Sequence, residues 1–116
     1  MPAVTDRPWA GRRLHLVGLG GAGMSGYARV AMALGARVTG SDRADGPALS
    51  ALRDLGVEVH IGHDAANVPA GDDVEVFHST AIPLANPERR AAHERGLADR
   101  PRGRIGQVHV SDPHRG

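Results

Sequence analysis

The chain has 116 residues, of which 14 are basic and 13 acidic, so its formal net charge is +1 and no strong field attracts nucleic acid or a membrane surface. One domain is the most that this length allows. Cysteine is absent, which excludes disulfides, thiolate metal sites and a cysteine nucleophile, and three aromatic residues are too few for a base-stacking platform.

Residues 1–11 hold two prolines and little periodicity, and they are predicted to form a flexible lead-in. They lack the apolar segment of a secretory signal, and no later apolar run approaches the length of a membrane span. We therefore expect no nucleic acid or membrane partner and a cytoplasmic location.

A glycine-rich turn between an apolar strand and an alanine-rich helix is the main feature of the sequence. Gly18, Gly20 and Gly23 have the G-x-G-x-x-G spacing, and Asp42 ends the strand that follows the helix. The predicted elements are a strand at 12–18, a helix at 22–34 and a second strand at 37–41. Strand, glycine turn, helix, strand and acid together indicate a Rossmann-like βαβ unit.

The glycines of this turn predict an anion site. Gly18 permits a sharp turn, Gly20 lets the backbone come close to a diphosphate, and Gly23 allows tight packing of the helix on the strand. The backbone N–H groups from Gly21 through Ala22 to Gly23, at the positive end of the helix dipole, are expected to face the anion. The alternative is that the glycines only turn a tight corner.

The remaining elements continue the alternation of strands and helices. They are a helix at 47–55, a strand at 57–61, a strand at 74–78 and a helix from 86 to about 95. Asn86 suits the N-cap of the last helix and Pro87 its first turn, and the charges of this helix are expected on a solvated face. The fold class is therefore α/β: a Rossmann-like, mostly parallel sheet of four to five strands flanked by helices.

Further candidate residues follow the strand ends, because ligands of such sheets bind outside the carboxyl ends of the strands. His63 follows the third strand, and Ser79 and Thr80 follow the fourth, where hydroxyl and N–H groups could bind phosphate or sugar oxygens. Asp42 beside Arg43 leaves open which nucleotide is bound. The structural alternatives are that Asp42 and Ser79 each cap a turn.

His60 and His63 also suggest a metal site, with Asp64 next to them. A protein site for zinc takes three or four ligands, and the sequence places no further convincing one. We therefore predict no metal and interpret His60 as an ordinary strand side chain.

The periodic pattern fails after residue 96. Arginine, glycine and proline supply nine of residues 97–116, and only residues 105–110 hint at a strand. Such composition buries little apolar surface, so this segment is predicted to be a divergent, disordered tail. A frameshift in an arginine-rich, lysine-free coding sequence is our hypothesis for its origin, and a basic RNA-binding tail is the functional alternative.

Two segments are distinctive: residues 15–26 read His-Leu-Val-Gly-Leu-Gly-Gly-Ala-Gly-Met-Ser-Gly, and residues 40–42 read Gly-Ser-Asp. Together they resemble the N-terminal domain of the Mur ligases that join L-alanine to UDP-N-acetylmuramate. Three later segments extend the resemblance: Gly-His-Asp-Ala-Ala-Asn-Val at 62–68, Ser-Thr-Ala-Ile at 79–82 and Asn-Pro-Glu at 86–88. It covers roughly residues 12–96.

The resemblance implies a site for UDP-N-acetylmuramate rather than for a nicotinamide cofactor. The implied substrate-binding residues are Gly18, Gly20, Gly21, Ala22, Gly23, Met24, Ser25, Ser41, Asp42, His63, Asn67, Ser79, Thr80, Ala81 and Ile82. Ser41 and Asp42 are expected beside the uridine, and the loop from His63 to Asn67 near its base. No catalytic residue and no metal ligand are implied.

By the same resemblance, the full-length enzyme uses ATP and Mg²⁺ to form an acyl phosphate, which the amine of L-alanine attacks. A Walker A loop needs a lysine, and every basic residue here is arginine, so this chain is expected to hold no cofactor and to be inactive alone. Another chain would then supply the missing ligase domains as a partner.

Two other functions stay open at this point. One is an NAD(P)-binding Rossmann module of an oxidoreductase or a redox-sensing regulator, and the other is a non-catalytic nucleotide-sugar-binding protein. The segments at 24–26 and 79–82 favour the ligase over the dinucleotide module.

Overall fold

The computed structural model describes residues 7–21 and 23–106, which form one sheet with helices on both faces. The strands are β1 (Arg13–Val17), β2 (Arg37–Asp42), β3 (Glu58–Ile61), β4 (Val74–His78) and β5 (Ala98–Pro101). The α-helices are α1 (Met24–Ala33), α2 (Pro47–Asp54) and α3 (Pro87–Glu94). Neighbouring strands are parallel, in the order β3-β2-β1-β4-β5, which confirms the predicted Rossmann-like α/β class. No helix in this part of the chain is long and apolar enough to cross a membrane.

Different helices cover the two faces of the sheet. Leu14 and Leu16 of β1 pack with α1 and α2, whereas Val17 belongs to the core under α3. Successive side chains of a strand point to opposite faces, so β1 contributes to both cores. The larger side chains on the α1 and α2 side include Met24, Leu49, Leu52 and Phe77, and those on the α3 side include Val68, Val74 and Val76.

Local signals set the starts of two helices. The side-chain oxygen of Asn86 accepts hydrogen bonds from the backbone N–H groups of Glu88 at 2.8 Å and Arg89 at 3.3 Å, and Pro87 is the first residue of α3. This confirms the predicted N-cap. Helix α1 begins at Met24, slightly later than predicted, and no side chain caps it.

The sheet has a switch point between β1 and β4. The chain builds β2 and β3 on one side of β1, and β4 and β5 on the other. Reversal of the strand order opens a crevice at the carboxyl ends of these two central strands. Gly18, directly after β1, and Ser79, directly after β4, therefore lie on either side of this crevice, where the N–H of Ser79 donates to the carbonyl of Val17 at 3.1 Å.

The segment after residue 96 differs from the predicted disordered tail. Residues 98–101 form β5, Leu97 is buried on the α3 side, and Ile105 is buried on the α1 and α2 side. Residues 107–116, which include most of the strand hinted at by the sequence, lie outside the described residues. The frameshift origin of this segment stays a hypothesis.

A buried carboxylate explains why β5 joins the sheet without an apolar pattern. Asp99 accepts hydrogen bonds from Nδ1 of His78 at 2.9 Å, Nε of Arg89 at 2.9 Å and Nε2 of His93 at 2.8 Å. Burial raises the pKa of Asp99, but hydrogen bonds from Arg89, His78 and His93 outweigh burial and hold the pKa below its usual 3.8. The strand is therefore held in place by hydrogen-bond donors on β4 and α3.

Residues 7–11 differ from the predicted flexible lead-in. Trp9 is buried against the core, and its backbone N–H donates to the carbonyl of Leu34 at 2.9 Å. The guanidinium of Arg12 lies 4.3 Å from the centre of the Trp9 ring and pairs with Glu75 at 2.8 Å. The buried ring and the backbone hydrogen bond of Trp9 thus dock this segment on the core, while residues 1–6 lie outside the described part of the chain.

Replacing Asp99 with alanine is expected to release β5 from the edge of the sheet. Three donors would lose their shared acceptor, so the free energy of unfolding should fall by about 3 kcal/mol. Hydrogen exchange should show faster exchange at the amides of residues 98–100, with the amides of β1 still protected. Asp73→Ala, which removes an exposed pair with Arg13, is the matched control. Equal exchange of β5 in the two variants would contradict this role of Asp99.

Candidate functional site

A cavity of about 580 Å³ opens at the carboxyl ends of the central strands. Its lining residues are Gly18, Gly21, Asp42, Arg43, His63, Ser79, Ala81, Ile82, Pro83, Ala85 and Asn86. The sequence-predicted residues among them are Gly18, Gly21, Asp42, His63, Ser79, Ala81 and Ile82. Segments that follow β1, β2, β3 and β4 therefore meet at one place, as the switch point requires.

Gly18 makes the sharp turn that the sequence predicts. Its φ is +90°, and the N–H groups of Gly18 and Leu19 both donate to the carbonyl of Ser41, at 2.9 and 2.8 Å. A β-carbon on Gly18 would lie 2.9 Å from Oγ of Ser79 and 3.3 Å from the side chain of Ile82. Both backbone conformation and space therefore require glycine at this position.

The protein itself uses some of the amide groups of the turn. The N–H of Gly20 donates to Oδ2 of Asp42 at 2.8 Å, and the N–H of Gly21 donates within the turn at 3.1 Å. The N–H of Gly23 has no acceptor among the described residues, and Ala22 lies outside them. Of the amide groups predicted to face the anion, the N–H of Gly21 is therefore already used, and within residues 7–21 and 23–106 only the N–H of Gly23 remains available.

Two glycines of the turn have neighbours that the sequence did not predict. A β-carbon on Gly20 would lie 3.0 Å from the carboxylate of Asp42, and a β-carbon on Gly23 would collide with the guanidinium of Arg102. The space beside Gly20 thus accommodates an acidic side chain. The space beside Gly23 accommodates a cation instead of the predicted close packing on the strand, and Arg102 brings positive charge to the start of α1.

Glu88 is the centre of a buried polar cluster beside the cavity. Its side chain is fully buried, and Oε1 accepts hydrogen bonds from Nε2 of His15 at 2.6 Å and Oγ of Ser41 at 2.7 Å. The other oxygen, Oε2, accepts from the backbone N–H of Asp64 at 3.1 Å and from Nδ2 of Asn67 at 2.9 Å. The cluster therefore joins α3 to β1, β2 and the loop after β3.

The predicted solvated face for the charges of α3 is wrong at Glu88. Burial raises the pKa of Glu88, but hydrogen bonds from His15, Ser41 and Asn67 outweigh burial and lower the pKa from 4.5 to about 2. The side chain is therefore a carboxylate that protein donors, not water, stabilise. One signal was available in the sequence, because Glu88 lies in the first turn of a helix that starts at the carboxyl edge of the sheet.

His63 connects this cluster to the cavity. Its ring lines the cavity, and Nδ1 lies 2.9 Å from Oγ of Ser41 and 3.4 Å from Oε2 of Glu88. His60 instead pairs with the exposed side chain of Glu58 at 3.0 Å. The two histidines thus have separate surroundings, and His60 is the ordinary strand side chain that the sequence predicts.

Several predicted substrate-binding residues do not line the cavity. These are Gly20, Gly23, Met24, Ser25, Ser41, Asn67 and Thr80. Met24 is part of the core, Ser41 and Asn67 donate to Glu88, and Thr80 is exposed. Their contact with a substrate stays a prediction. The lining residues missing from the predicted set are Arg43, Pro83, Ala85 and Asn86.

The low pKa of Glu88 predicts a loss of stability in acid. Its pKa is about 2 in the folded chain and 4.5 in an ordinary glutamate, so its stabilising contribution is complete above pH 4.5 and disappears as the pH falls towards 2. The difference corresponds to about 3 kcal/mol. Urea unfolding, followed by the fluorescence of Trp9 from neutral pH down to pH 2, measures this change. A free energy of unfolding that stays constant below pH 4.5 would contradict the expectation.

Comparison with known proteins identifies relatives of this fold and site. Residues 13–110 match the family model described as Mur ligase family, catalytic domain. A UDP-N-acetylmuramate–L-alanine ligase of Clavibacter michiganensis is 52% identical over 92 residues, which cover 79% of this chain and 19% of that protein. The ligase of the same name from a Nocardioides species is 52% identical over 90 residues, 78% of this chain and 20% of that protein. The chain thus spans about a fifth of the length of these relatives.

Solved structures agree with the sequence relatives. The UDP-N-acetylmuramate-alanine ligase of Thermotoga maritima superimposes with a TM-score of 0.73 at 31% identity, over 78% of this chain and 20% of that one. A murein peptide ligase of Psychrobacter arcticus has a TM-score of 0.69 at 31% identity, over 77% of this chain and 18% of that one. The family match also continues past residue 96, where the sequence pattern fails. The chain belongs to the Mur ligase family.

Proposed function

We propose that this chain binds UDP-N-acetylmuramate in the cavity between the ends of β1 and β4, as the N-terminal domain of an ATP-dependent ligase that adds L-alanine in cytoplasmic peptidoglycan precursor synthesis. The observation that carries the proposal is the cavity at the switch point of the sheet, which is lined by two glycines of the turn, by His63 and by three residues that follow β4 (Gly18, Gly21, His63, Ser79, Ala81 and Ile82). The names of the relatives support the choice of ligand.

The groups around the cavity have the chemistry that a nucleotide sugar needs. A diphosphate suits the N–H of Gly23, which has no acceptor within the described part of the chain, together with the positive end of α1 and the nearby guanidinium of Arg102. The hydroxyl of Ser79 suits sugar oxygens, and His63 suits the polar edge of a uridine. A ligand that uses all of these groups carries two phosphates between a base and a sugar.

A dinucleotide is the second ligand that such a turn could bind, and Asp42 favours the nucleotide sugar over it. In dinucleotide sites the acid at the end of the second strand accepts hydrogen bonds from a ribose. Here Oδ2 of Asp42 accepts from the N–H of Gly20 at 2.8 Å, and Oδ1 accepts from the N–H of Ala44 at 3.3 Å. Both oxygens of Asp42 thus already have donors within the chain.

Ligation needs groups that this sequence does not contain. Every basic residue is arginine, so no lysine is available for a P-loop. We therefore propose that ATP and Mg²⁺ bind to other domains of the full-length enzyme, and that those domains are the partners of this one. The chain alone is expected to bind the nucleotide sugar without forming an amide bond.

Isothermal titration of the full chain with UDP-N-acetylmuramate, NADH and NADPH tests the proposal. We expect saturable binding of the nucleotide sugar and none of the dinucleotides. Binding of a dinucleotide alone would overturn the assignment of the ligand. Failure of all three to bind would show that these residues do not form a nucleotide-binding unit by themselves.

A further inference from the structure

The two ring nitrogens of His63 have different surroundings. Nδ1 faces the buried cluster, 2.9 Å from Oγ of Ser41 and 3.4 Å from Oε2 of Glu88. Nε2 has no hydrogen-bond partner among the described residues, although the ring lines the cavity. Nε2 is therefore the nitrogen that a ligand in the cavity can reach.

The hydrogen bonds of Ser41 decide which nitrogen of His63 carries the proton. A serine hydroxyl has one proton, and Ser41 donates it to Oε1 of Glu88 at 2.7 Å. Towards His63 the same oxygen can only accept, so Nδ1 must be the donor. The carboxylate of Glu88, 3.4 Å from Nδ1, favours a proton at the same place.

The orientation of Glu88 is itself fixed by the core. Its carboxylate accepts further hydrogen bonds from His15, Asn67 and the backbone of Asp64, and none of it is exposed. Nδ1 of His15 is in turn 2.6 Å from Oγ1 of Thr39 on β2. Because donors on β1, β2 and the loop after β3 hold both of its oxygens, the carboxylate cannot turn to suit another arrangement of protons.

We propose that Glu88 and Ser41 are positioning residues: they hold the neutral ring of His63 as the Nδ1–H tautomer, so that Nε2 presents a lone pair to the cavity and accepts a hydrogen bond from an N–H or O–H group of the bound nucleotide sugar. The identity of the ligand rests on the proposed function, whereas the state of the ring does not. If the cluster only filled space, Nε2 would carry the proton and would donate to a ligand oxygen instead.

Nitrogen-15 NMR of the full chain tests the tautomer without a ligand. The chain has seven histidines, and the signal of His63 is identified by its loss in His63→Gln. In alkaline solution, where the ring is neutral, we expect Nδ1 to be protonated and Nε2 to be bare. A spectrum with the proton on Nε2 would overturn the proposal. In Ser41→Ala, which keeps the other donors of Glu88, the share of the Nε2–H tautomer should rise, and an unchanged share would also count against it.

Two substitutions of His63 test the bond to the ligand by titration with UDP-N-acetylmuramate and with UDP. The side-chain oxygen of His63→Gln can take the place of Nε2, whereas His63→Asn reaches only as far as Nδ1. We expect the Gln variant to bind within about threefold of the original chain and the Asn variant about tenfold more weakly, the range of one hydrogen bond. Equal losses in the two variants would overturn the acceptor role.

Comparison of UDP with UDP-N-acetylmuramate shows which part of the ligand donates to Nε2 of His63. Titration and NMR together distinguish failure of the proposed function from failure of the proposed tautomer. A loss in His63→Asn with UDP as well as with UDP-N-acetylmuramate places the donor in the nucleotide, and a loss with the larger ligand alone places it in the sugar. If the unchanged chain binds neither ligand, the proposed function fails, while the NMR spectrum still decides the state of His63.

Discussion

Glu88→Ala is expected to lower the free energy of unfolding by about 3–5 kcal/mol, because it removes the buried carboxylate that several donors share. The donors of His15 and Ser41 would remain in the interior without this acceptor, and the part-buried donors of Asn67 and the backbone of Asp64 would each lose a hydrogen bond. A domain of this size has a total stability of roughly 5–15 kcal/mol, so the expected loss is a large fraction of the total and should lower the urea midpoint clearly. Urea unfolding, followed by circular dichroism, measures the change.

Glu58→Ala is the matched control for this variant. Glu58 is also a glutamate paired with a histidine, His60 at 3.0 Å, but its side chain is exposed. Removal of an exposed pair changes stability by about 0–1 kcal/mol. If the Glu88 and Glu58 variants unfolded at the same urea concentration, the cluster would have no special part in stability.

Gly18→Ala is expected to damage both the fold and the binding of UDP-N-acetylmuramate. At a φ of +90° an alanine is strained by about 1–2 kcal/mol, and its β-carbon would lie 2.9 Å from Oγ of Ser79. Because Ser79 and Ile82 line the cavity with Gly18, a shift of either residue changes the binding surface. We expect binding to weaken by more than about tenfold, measured by titration on chain that circular dichroism shows to be folded.

Gly26→Ala provides the control for a glycine substitution. Gly26 lies inside α1, and a β-carbon there would meet no atom within 4 Å. Alanine is the better helix former by about 1 kcal/mol, so this variant should be slightly more stable and should bind as before. Unchanged binding in Gly18→Ala, or equal weakening in both variants, would contradict the assigned role of the turn.

The features that could be predicted from the sequence are those encoded by near neighbours in the chain. The apolar run before Gly18, the glycine spacing and the alanine-rich segment after it define β1, the turn and α1. Asn86 and Pro87 define the start of α3 because capping involves only the next few residues. Since ligands bind at the carboxyl ends of parallel strands, the order of the elements also predicted where the cavity would open.

The features that could not be predicted depend on partners far away in the chain. Glu88 appeared to be a surface charge, but its hydrogen-bond partner His15 is 73 positions away. The strand β5 has a polar sequence, and the donors to Asp99 from β4 and α3 hold it in place. In both cases a carboxylate is buried because the fold brings hydrogen-bond donors to it. The periodic pattern of apolar residues does not predict such long-range contacts.

The glycine turn shows that prediction from sequence has the same limit within a single motif. Its spacing predicts a turn with free amide groups, but spacing does not tell which amides the protein itself will use. The N–H of Gly20 donates to Asp42, which is 22 positions away, and the guanidinium of Arg102 lies against Gly23. The motif therefore predicts where the candidate site lies, whereas the contacts of its amide groups depend on residues elsewhere in the fold.

Titration of the isotopically labelled full chain with UDP-N-acetylmuramate, followed by backbone amide NMR, tests most directly that the cavity is the nucleotide-sugar site. We expect the largest shifts at residues 18–23, at His63 and at residues 79–82, with little change at the amino-terminal edge of the sheet around Arg13 and Arg37. Shifts centred on that opposite edge, or no shifts at saturating ligand, would contradict the account.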